Sequence, residues 1–376
     1  MVDCVFRSNL QPYRKQHRQE RVAELMQHAQ KFGLGFLKLL AFSLGIFLFI
    51  NLFRGVDLDR IRTLISHIGI AMLLIPLPYV VTSIFDTLGW KAVFPTLERD
   101  VPFLQLFGIK LISEAMLMSL PGGTALAESI KPYLMKKRCG VPVSESIPLG
   151  VARNCLLSIG HSVYIVLSVI VGYAALSSIS SKIIGIGGLP WLMLLASLVV
   201  MMGFGGVGAA FLYGSIAERL HRVFLRVPIT RLREWLIKEE QRILDIDKQF
   251  SRFQNIERRH VVTSALFYIS AWFFESVETF LIMKLLGIEL GFIEILTLES
   301  ALSFVRSMFV FLPAGIGIQD MGYVLFLGAF GVPDAPTVGA AFVLMKRAKE
   351  VFWILIGYAL LLFSGVKPKE AFIQPS

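Results

Sequence analysis

Charged side chains set into apolar sequence are where this chain could do chemistry. Glu114 and Glu128 stand on either side of Pro121-Gly122-Gly123. Arg306 and Asp320 stand in the same way around Pro313-Ala314-Gly315-Ile316-Gly317. Arg153 lies near the start of a long apolar run, and Lys346, Arg347, Lys349 and Glu350 are grouped inside another. At the centre of a bilayer a charge costs about 2.5–3.5 kcal/mol on insertion scales. Such groups pair with one another or line a wet cavity. Cations there attract phosphate, and the planar fork of arginine can grip it at two points. Arg153, Arg306, Lys346 and Arg347 are therefore the expected substrate-binding partners of an anionic headgroup. Glu114, Glu128, Asp320 and Glu350 are expected to hold those cations or to accept protons. His161 sits inside an apolar run and reads as a bonded packing residue. No Ser-His-Asp set occurs, and Cys4, Cys139 and Cys155 lack ligand or disulfide spacing. Catalytic residues and a metal site are not expected.

Spacing already suggests partners. Glu128 and Lys131 are three residues apart and can pair on one helix face. Glu275 and Glu278 have the same spacing, where like charges repel, so one of them is expected to be protonated or to face a cation on another helix. Lys346, Arg347 and Glu350 fall within about 100° of helix surface, with Lys349 about 60° beyond. Glu350 can neutralise Lys346 or Arg347, but not all three cations. The surplus is expected to meet Asp320, Glu278 or an anionic ligand. Lys110 and Glu299 also fall in apolar runs, while Lys38, Asp86 and Lys284 lie near run ends and are expected to snorkel.

The elements that must position these groups follow from composition. Of the 376 residues, 55% are hydrophobic and 17% charged, with a mean hydropathy of +0.67. Soluble domains carry about 45–50% and about 25%, so a soluble globular domain and a disordered chain are both excluded. A membrane helix needs about 20 apolar residues, and full spans are expected at 33–53, 65–90, 147–176, 188–213, 260–286 and 337–364. The first is expected to be retained, its apolar run being too long for a signal peptide. Pro76 and Pro78 predict a kink in the second. Two further stretches, 102–120 and 293–312, each run into Pro-Gly.

Basic residues set the orientation. They concentrate in the N-terminal segment 1–32, in Lys136-Lys137-Arg138 and in 214–259. If all eight stretches crossed, Lys136-Lys137-Arg138 would face outward with the N-terminus inside. If the two Pro-Gly stretches are re-entrant hairpins, every basic loop falls inside. The expected fold is an all-α polytopic membrane protein with six full spans, two Pro-Gly re-entrant hairpins and both termini cytoplasmic; eight full spans are the alternative. A basic cytoplasmic segment, 1–32, precedes a transmembrane domain, 33–364, and a C-terminal tail, 365–376. Within 214–259, Leu232, Leu236, Ile243, Ile246, Phe250 and Phe253 recur at helical intervals against a basic face. That pattern suits a helix on the anionic inner leaflet, where each basic residue adds about 1 kcal/mol. Nucleic-acid binding is not expected, because the positive charge follows the membrane pattern.

The two hairpins repeat each other. Each has a carboxylate seven residues after its proline, Glu128 and Asp320, and an ionisable residue seven before it, Glu114 and Arg306. Each is followed by Gly-Val-Pro, at 140–142 and 331–333, and then by a long span. Pro121, Gly122, Gly123, Pro313, Gly315 and Gly317 are the expected turn residues. In the expected topology the hairpins enter from opposite sides. Such an inverted repeat places substrate at its interface in secondary transporters.

With these motifs the chain resembles the flippase-like family that shares the transmembrane region of lysylphosphatidylglycerol synthase. The resemblance rests on the Pro-Gly-Gly hairpin with Glu128, on Arg153, and on Pro313-Ala314-Gly315-Ile316-Gly317 followed by Gly331-Val332-Pro333, and covers about 33–364. The family commonly has a second glycine and an Arg-Glu pair in the later motif, where Ala314 and Gln319-Asp320 stand here. The resemblance implies lipid translocation or a lipid-handling accessory role in a bacterial or archaeal membrane, without a cofactor. The soluble aminoacyl-transferring part of the synthase is not expected, nor is enzyme activity.

The expected function is an inner-membrane flippase that moves an anionic phospholipid or lipid-linked intermediate between leaflets. A secondary transporter of a small solute and a non-transporting membrane partner of a lipid-modifying enzyme are the alternatives. Membrane lipids are the expected partners, with a homo-oligomer or a lipid-modifying enzyme left open. On this reading Arg347→Ala keeps the fold and loses lipid, whereas an ion-pair lock would lose stability. The topology has its own test. An impermeant thiol reagent on intact cells should label a cysteine replacing Asp334 and spare Cys139. Labelling of Cys139 from outside would overturn the hairpin arrangement.

Overall fold

A computed structural model describes residues 40, 42–54, 56–94, 100–120, 122–213, 257–309 and 312–364. The expectations for 1–32, 214–256, 365–376 and Pro121 lie outside the described residues. The described elements are helices. They are α1 (Phe42–Leu52), α2 (Leu58–Ile68), α3 (Leu77–Lys91), α4 (Phe103–Ser119), α5 (Gly123–Cys139), α6 (Val143–Ile184), α7 (Leu189–Tyr213), α8 (Arg258–Leu285), α9 (Phe292–Met308), α10 (Ile318–Ala329) and α11 (Ala335–Phe363). Leu58–Lys91, Val143–Ile184, Leu189–Gly208 and Arg258–Leu285 are long and apolar enough to cross a bilayer, and the protein is polytopic. α11 has the length, at 29 residues, but carries its four charges mid-helix. Trp191, Leu195, Val199 and Met202 of α7 are exposed, as lipid-facing side chains are.

Two expected spans change their bounds. The second begins at Leu58, where Asp57 caps α2 by accepting the Arg60 N–H at 2.9 Å. Its break lies upstream of the prolines, in the 3-10 segment Gly69–Leu74. Pro76 and Pro78 sit at the start of α3, where no N–H donor is needed and proline is tolerated. The third span is not 147–176 but a 42-residue helix that runs on to Ile184. Nothing stops it before Gly185, whose φ of 83° ends the helix. It bends at Gly172 (φ −109°, ψ 19°), where it presses on α9.

The helix order repeats. α3 to α6 form one unit and α8 to α11 a second, each with a helix–turn–helix hairpin at its middle, α4–α5 and α9–α10. The units meet along α3 and α8, and they exchange their last helices: α11 packs on α4, and α6 on α9. The hairpins end alike. Gly140 and Gly331 adopt left-handed backbone, and the next residues, Val141 and Val332, donate back to the Met135 and Leu327 carbonyls at 3.2 and 3.0 Å. The exchange shows in the cores. Leu361 of α11 is buried with Trp90, Leu106 and Leu134 of the first unit. Tyr164, Val169 and Leu176 of α6 are buried with Ile295, Leu298 and Phe342 of the second.

Gly172 offers a test of the second exchange. A Cβ built there would lie 1.7 Å from the Thr297 Cγ2 methyl. Gly172→Ala should cost about 1–3 kcal/mol, the usual range for overpacking, read as a lowered melting temperature in detergent. Adding Thr297→Ser removes that methyl but keeps the hydroxyl bonded to the Glu294 carbonyl, and should restore most of the loss.

Candidate functional site

Both Pro-Gly turns open onto one cavity of about 430 Å³. Leu120, Gly122 and Gly123 line it from the first turn, and Leu312, Ala314 and Gly315 from the second. Gly122 (φ 70°) and Gly315 (φ 65°) take left-handed backbone, which glycine adopts without steric cost. Ala314 does so as well, at φ 48°. α5 starts hard against the end of α4, so a Cβ at Gly123 would lie 2.3 Å from the Met116 carbonyl oxygen. In the second turn, Asp320 accepts the Gly317 N–H at 2.8 Å and caps α10.

Among the described residues, each repeat places three acids and three cations on this cavity. The first contributes Asp86, Lys110, Glu114, Glu128, Lys131 and Arg153. Here Lys110 pairs with Glu114 one helical turn on, and donates to Ser83 Oγ at 2.7 Å. Lys131 pairs with Glu128 at 2.5 Å. Arg153 Nη2 donates to both Asp86 oxygens, at 2.7 and 2.9 Å, and its guanidinium lies near the Trp90 and Tyr268 rings. The second repeat contributes Glu275, Glu278, Arg306, Lys346, Lys349 and Glu350. Arg306 donates to Glu275 at 3.1 Å and lies over the Trp272 ring. Lys349 pairs with Glu278 at 2.7 Å. Lys346 donates to Tyr323 Oη, Glu299 and Thr279 Oγ1, at 2.5, 3.1 and 3.2 Å.

Six of the eight sequence-selected groups thus share the cavity wall: Arg153, Arg306, Lys346, Glu114, Glu128 and Glu350. Arg347 and Asp320 are not on it. Arg347 donates to Asp320 Oδ1 from Nε and Nη2, at 3.1 and 2.7 Å. Its Nη1 donates to Glu350 at 2.5 Å and to the Ala314 carbonyl at 3.2 Å. This guanidinium is a tie between α11, the start of α10 and the second turn, with four of its five N–H donors engaged there. The surplus of positive charge on α11 meets two of the acids expected for it, Arg347 with Asp320 and Lys349 with Glu278, while Lys346 pairs with Glu299. Glu275 and Glu278 both remain beside cations of other helices.

Asp86, expected to snorkel, instead faces the cavity. Tyr79, Thr82 and Asp86 are spaced by three and then four residues, so they share one face of α3, and all three line the wall. Ala271, Glu275 and Glu278, spaced by four and then three, share one face of α8 in the same way. This periodicity was the available signal for residues that the charge pattern alone passed over, including Tyr79 and Trp272. Both aromatics carry cations: Lys110 and Lys349 lie 4.7 and 4.9 Å from the centre of the Tyr79 ring. His161 is a packing residue, stacked on Trp272 at 4.0 Å with Nε2 bonded to Ser303 Oγ at 3.0 Å.

Residues 36–357, which include every group just described, match the model of the family described as lysylphosphatidylglycerol synthase TM region. No curated protein and no solved structure matches.

The tie at Arg347 sets a direct expectation. Arg347→Ala leaves Asp320 and Glu350 facing each other without a cation, and breaking a buried pair costs about 3–5 kcal/mol. The purified variant should melt well below the parent. An unchanged melting temperature would mean that the guanidinium is not a lock.

Proposed function

The chain belongs to the lysylphosphatidylglycerol synthase TM region family, and we propose that it transports a phospholipid or lipid-linked intermediate between leaflets. The family ties this polytopic membrane protein to lipid synthesis or transport. The observation that carries the finer reading is that the turns of both hairpins, and charges from both repeats, line one cavity. A lipid headgroup cannot cross hydrocarbon without replacing its hydration, and twelve charged side chains supply that replacement. The acyl chains stay in the bilayer while the headgroup passes. Non-helical backbone at membrane depth is tolerated where it lines such a cavity, which favours re-entrant hairpins entering from opposite leaflets. The same reading puts the protein in the inner membrane with both termini cytoplasmic, acting as a transporter rather than an enzyme.

Arg306 is the natural partner for the headgroup phosphate, because it is the most exposed cation of the ion-paired set around the cavity. A small-solute carrier would use the same charges, but the family favours lipid. A non-transporting partner protein would be better served by a filled, apolar core than by a charged cavity.

Vesicles reconstituted with the protein should translocate an acyl-labelled phospholipid faster than protein-free vesicles. Gly123→Leu, which drives a side chain into the end of α4, should return the rate to the protein-free background. A wild-type protein that does not accelerate translocation would overturn the reading.

A further inference from the structure

The cavity is polarised, and the polarity follows the repeat. Each ion pair around it closes within one repeat, and the two repeats turn opposite members of their pairs outward. In the first repeat the acid is always the more exposed partner. Glu114 is 22% exposed against 4% for Lys110, Glu128 35% against 10% for Lys131, and Asp86 14% against 7% for Arg153. In the second repeat the cation is always the more exposed. Arg306 is 28% exposed against 21% for Glu275, and Lys346 and Lys349 are 6% against 1% for Glu299 and Glu278. Arg347 likewise exceeds Asp320 and Glu350. A molecule entering the cavity therefore meets Glu114 and Glu128 on the first hairpin's side and Arg306, beside Glu275, on the second's.

We propose that the cavity takes a zwitterionic phospholipid headgroup, its phosphate against Arg306 on the second repeat and its ammonium group against Glu114 and Glu128 on the first. This rests on the transport reading above and narrows it. The expectation of an anionic lipid gave the phosphate to the cations and left the acids only to hold them or to accept protons. With their partners in place, each repeat contributes as many acids as cations to the wall, so a lone anion would add unbalanced charge in a poorly screened site. A headgroup with both signs adds none, and its dipole lies along the polarity of the wall. An ammonium group also donates to carboxylates that are already turned outward, without first breaking a pair.

The test compares acyl-labelled phosphatidylethanolamine with acyl-labelled phosphatidylglycerol in the same reconstituted vesicles. The zwitterionic lipid should cross about tenfold faster or more, the factor that one charge-assisted hydrogen bond supplies. Replacing Glu114→Gln and Glu128→Gln together leaves Lys110 and Lys131 unpaired and should shift the ratio toward phosphatidylglycerol. The ratio within each preparation is unaffected by the fraction of variant that folds, and the wild-type ratio carries the test alone if the variant cannot be made. Equal or faster movement of phosphatidylglycerol by the wild type would overturn the zwitterion assignment and leave transport standing. Movement of neither lipid would overturn the transport reading, and the assignment with it.

Discussion

Taking a carboxylate or an ammonium group out of water costs several kcal/mol even after relaxation, and only a close partner with good geometry offsets it. Both repeats meet that condition, and much of the remaining architecture serves it. α3 must lie where Asp86 reaches Arg153, and α8 where Glu278 reaches Lys349. Aromatic rings lie beside the cations: Trp90 and Tyr268 near Arg153, Tyr79 near two lysines, Trp272 under Arg306. A desolvated cation gains from a ring face, so the rings help hold in place charges that hydrocarbon packing alone would not retain. The cavity stays polar because its wall is held together by charge.

Long apolar runs made the spans legible in the sequence, and Pro-Gly pairs made the hairpins so. The lysylphosphatidylglycerol synthase TM resemblance was legible from the same turns, because their backbone demands leave a fixed mark on residue choice. Pairs within one helical turn were legible as well: Glu128 with Lys131 and Arg347 with Glu350 follow from spacing alone. Pairs between helices were legible only as alternatives, with Asp320 and Glu278 open to any cation of the last helix and Arg153 given no partner. Arg153 and Asp86 are 67 residues apart, and Lys349 and Glu278 are 71. Only the packing of α3 and α6 against α8, and of α11 near α8, brings them together. For Arg347, Asp320 was legible as one possible partner beside an anionic ligand, but the Ala314 carbonyl opposite it was not. The end of α6 differs from the expected one for a simpler reason: Ser177, Ser178, Ser180 and Ser181 end the apolar run without ending the helix, which stops at Gly185.

Ala314 shows where strain is tolerated. A non-glycine residue at positive φ is uncommon, and such strain collects at functional sites when surrounding contacts over-determine it. Here the contacts are visible. Arg347 bonds the Ala314 carbonyl, and Asp320 holds the Gly317 N–H. The guanidinium expected to hold a ligand gives one donor to this turn and three to Asp320 and Glu350.

Because every ion pair at the cavity closes inside its own repeat, the seam between the repeats is electrically light. Beside the cavity it is crossed by neutral contacts: Tyr164 with Ser276 at 2.7 Å, His161 with Ser303 at 3.0 Å and Ser119 with Tyr358 at 2.8 Å. Tyr79, neutral itself, is the ring that touches lysines of both halves. A neutral hydrogen bond contributes only about 0.5–1.5 kcal/mol net, far less than separating opposite charges in a low dielectric. Each half thus holds its own counter-ions at the cavity, and the halves are joined there by hydroxyls and rings and elsewhere by the exchanged helices α6 and α11.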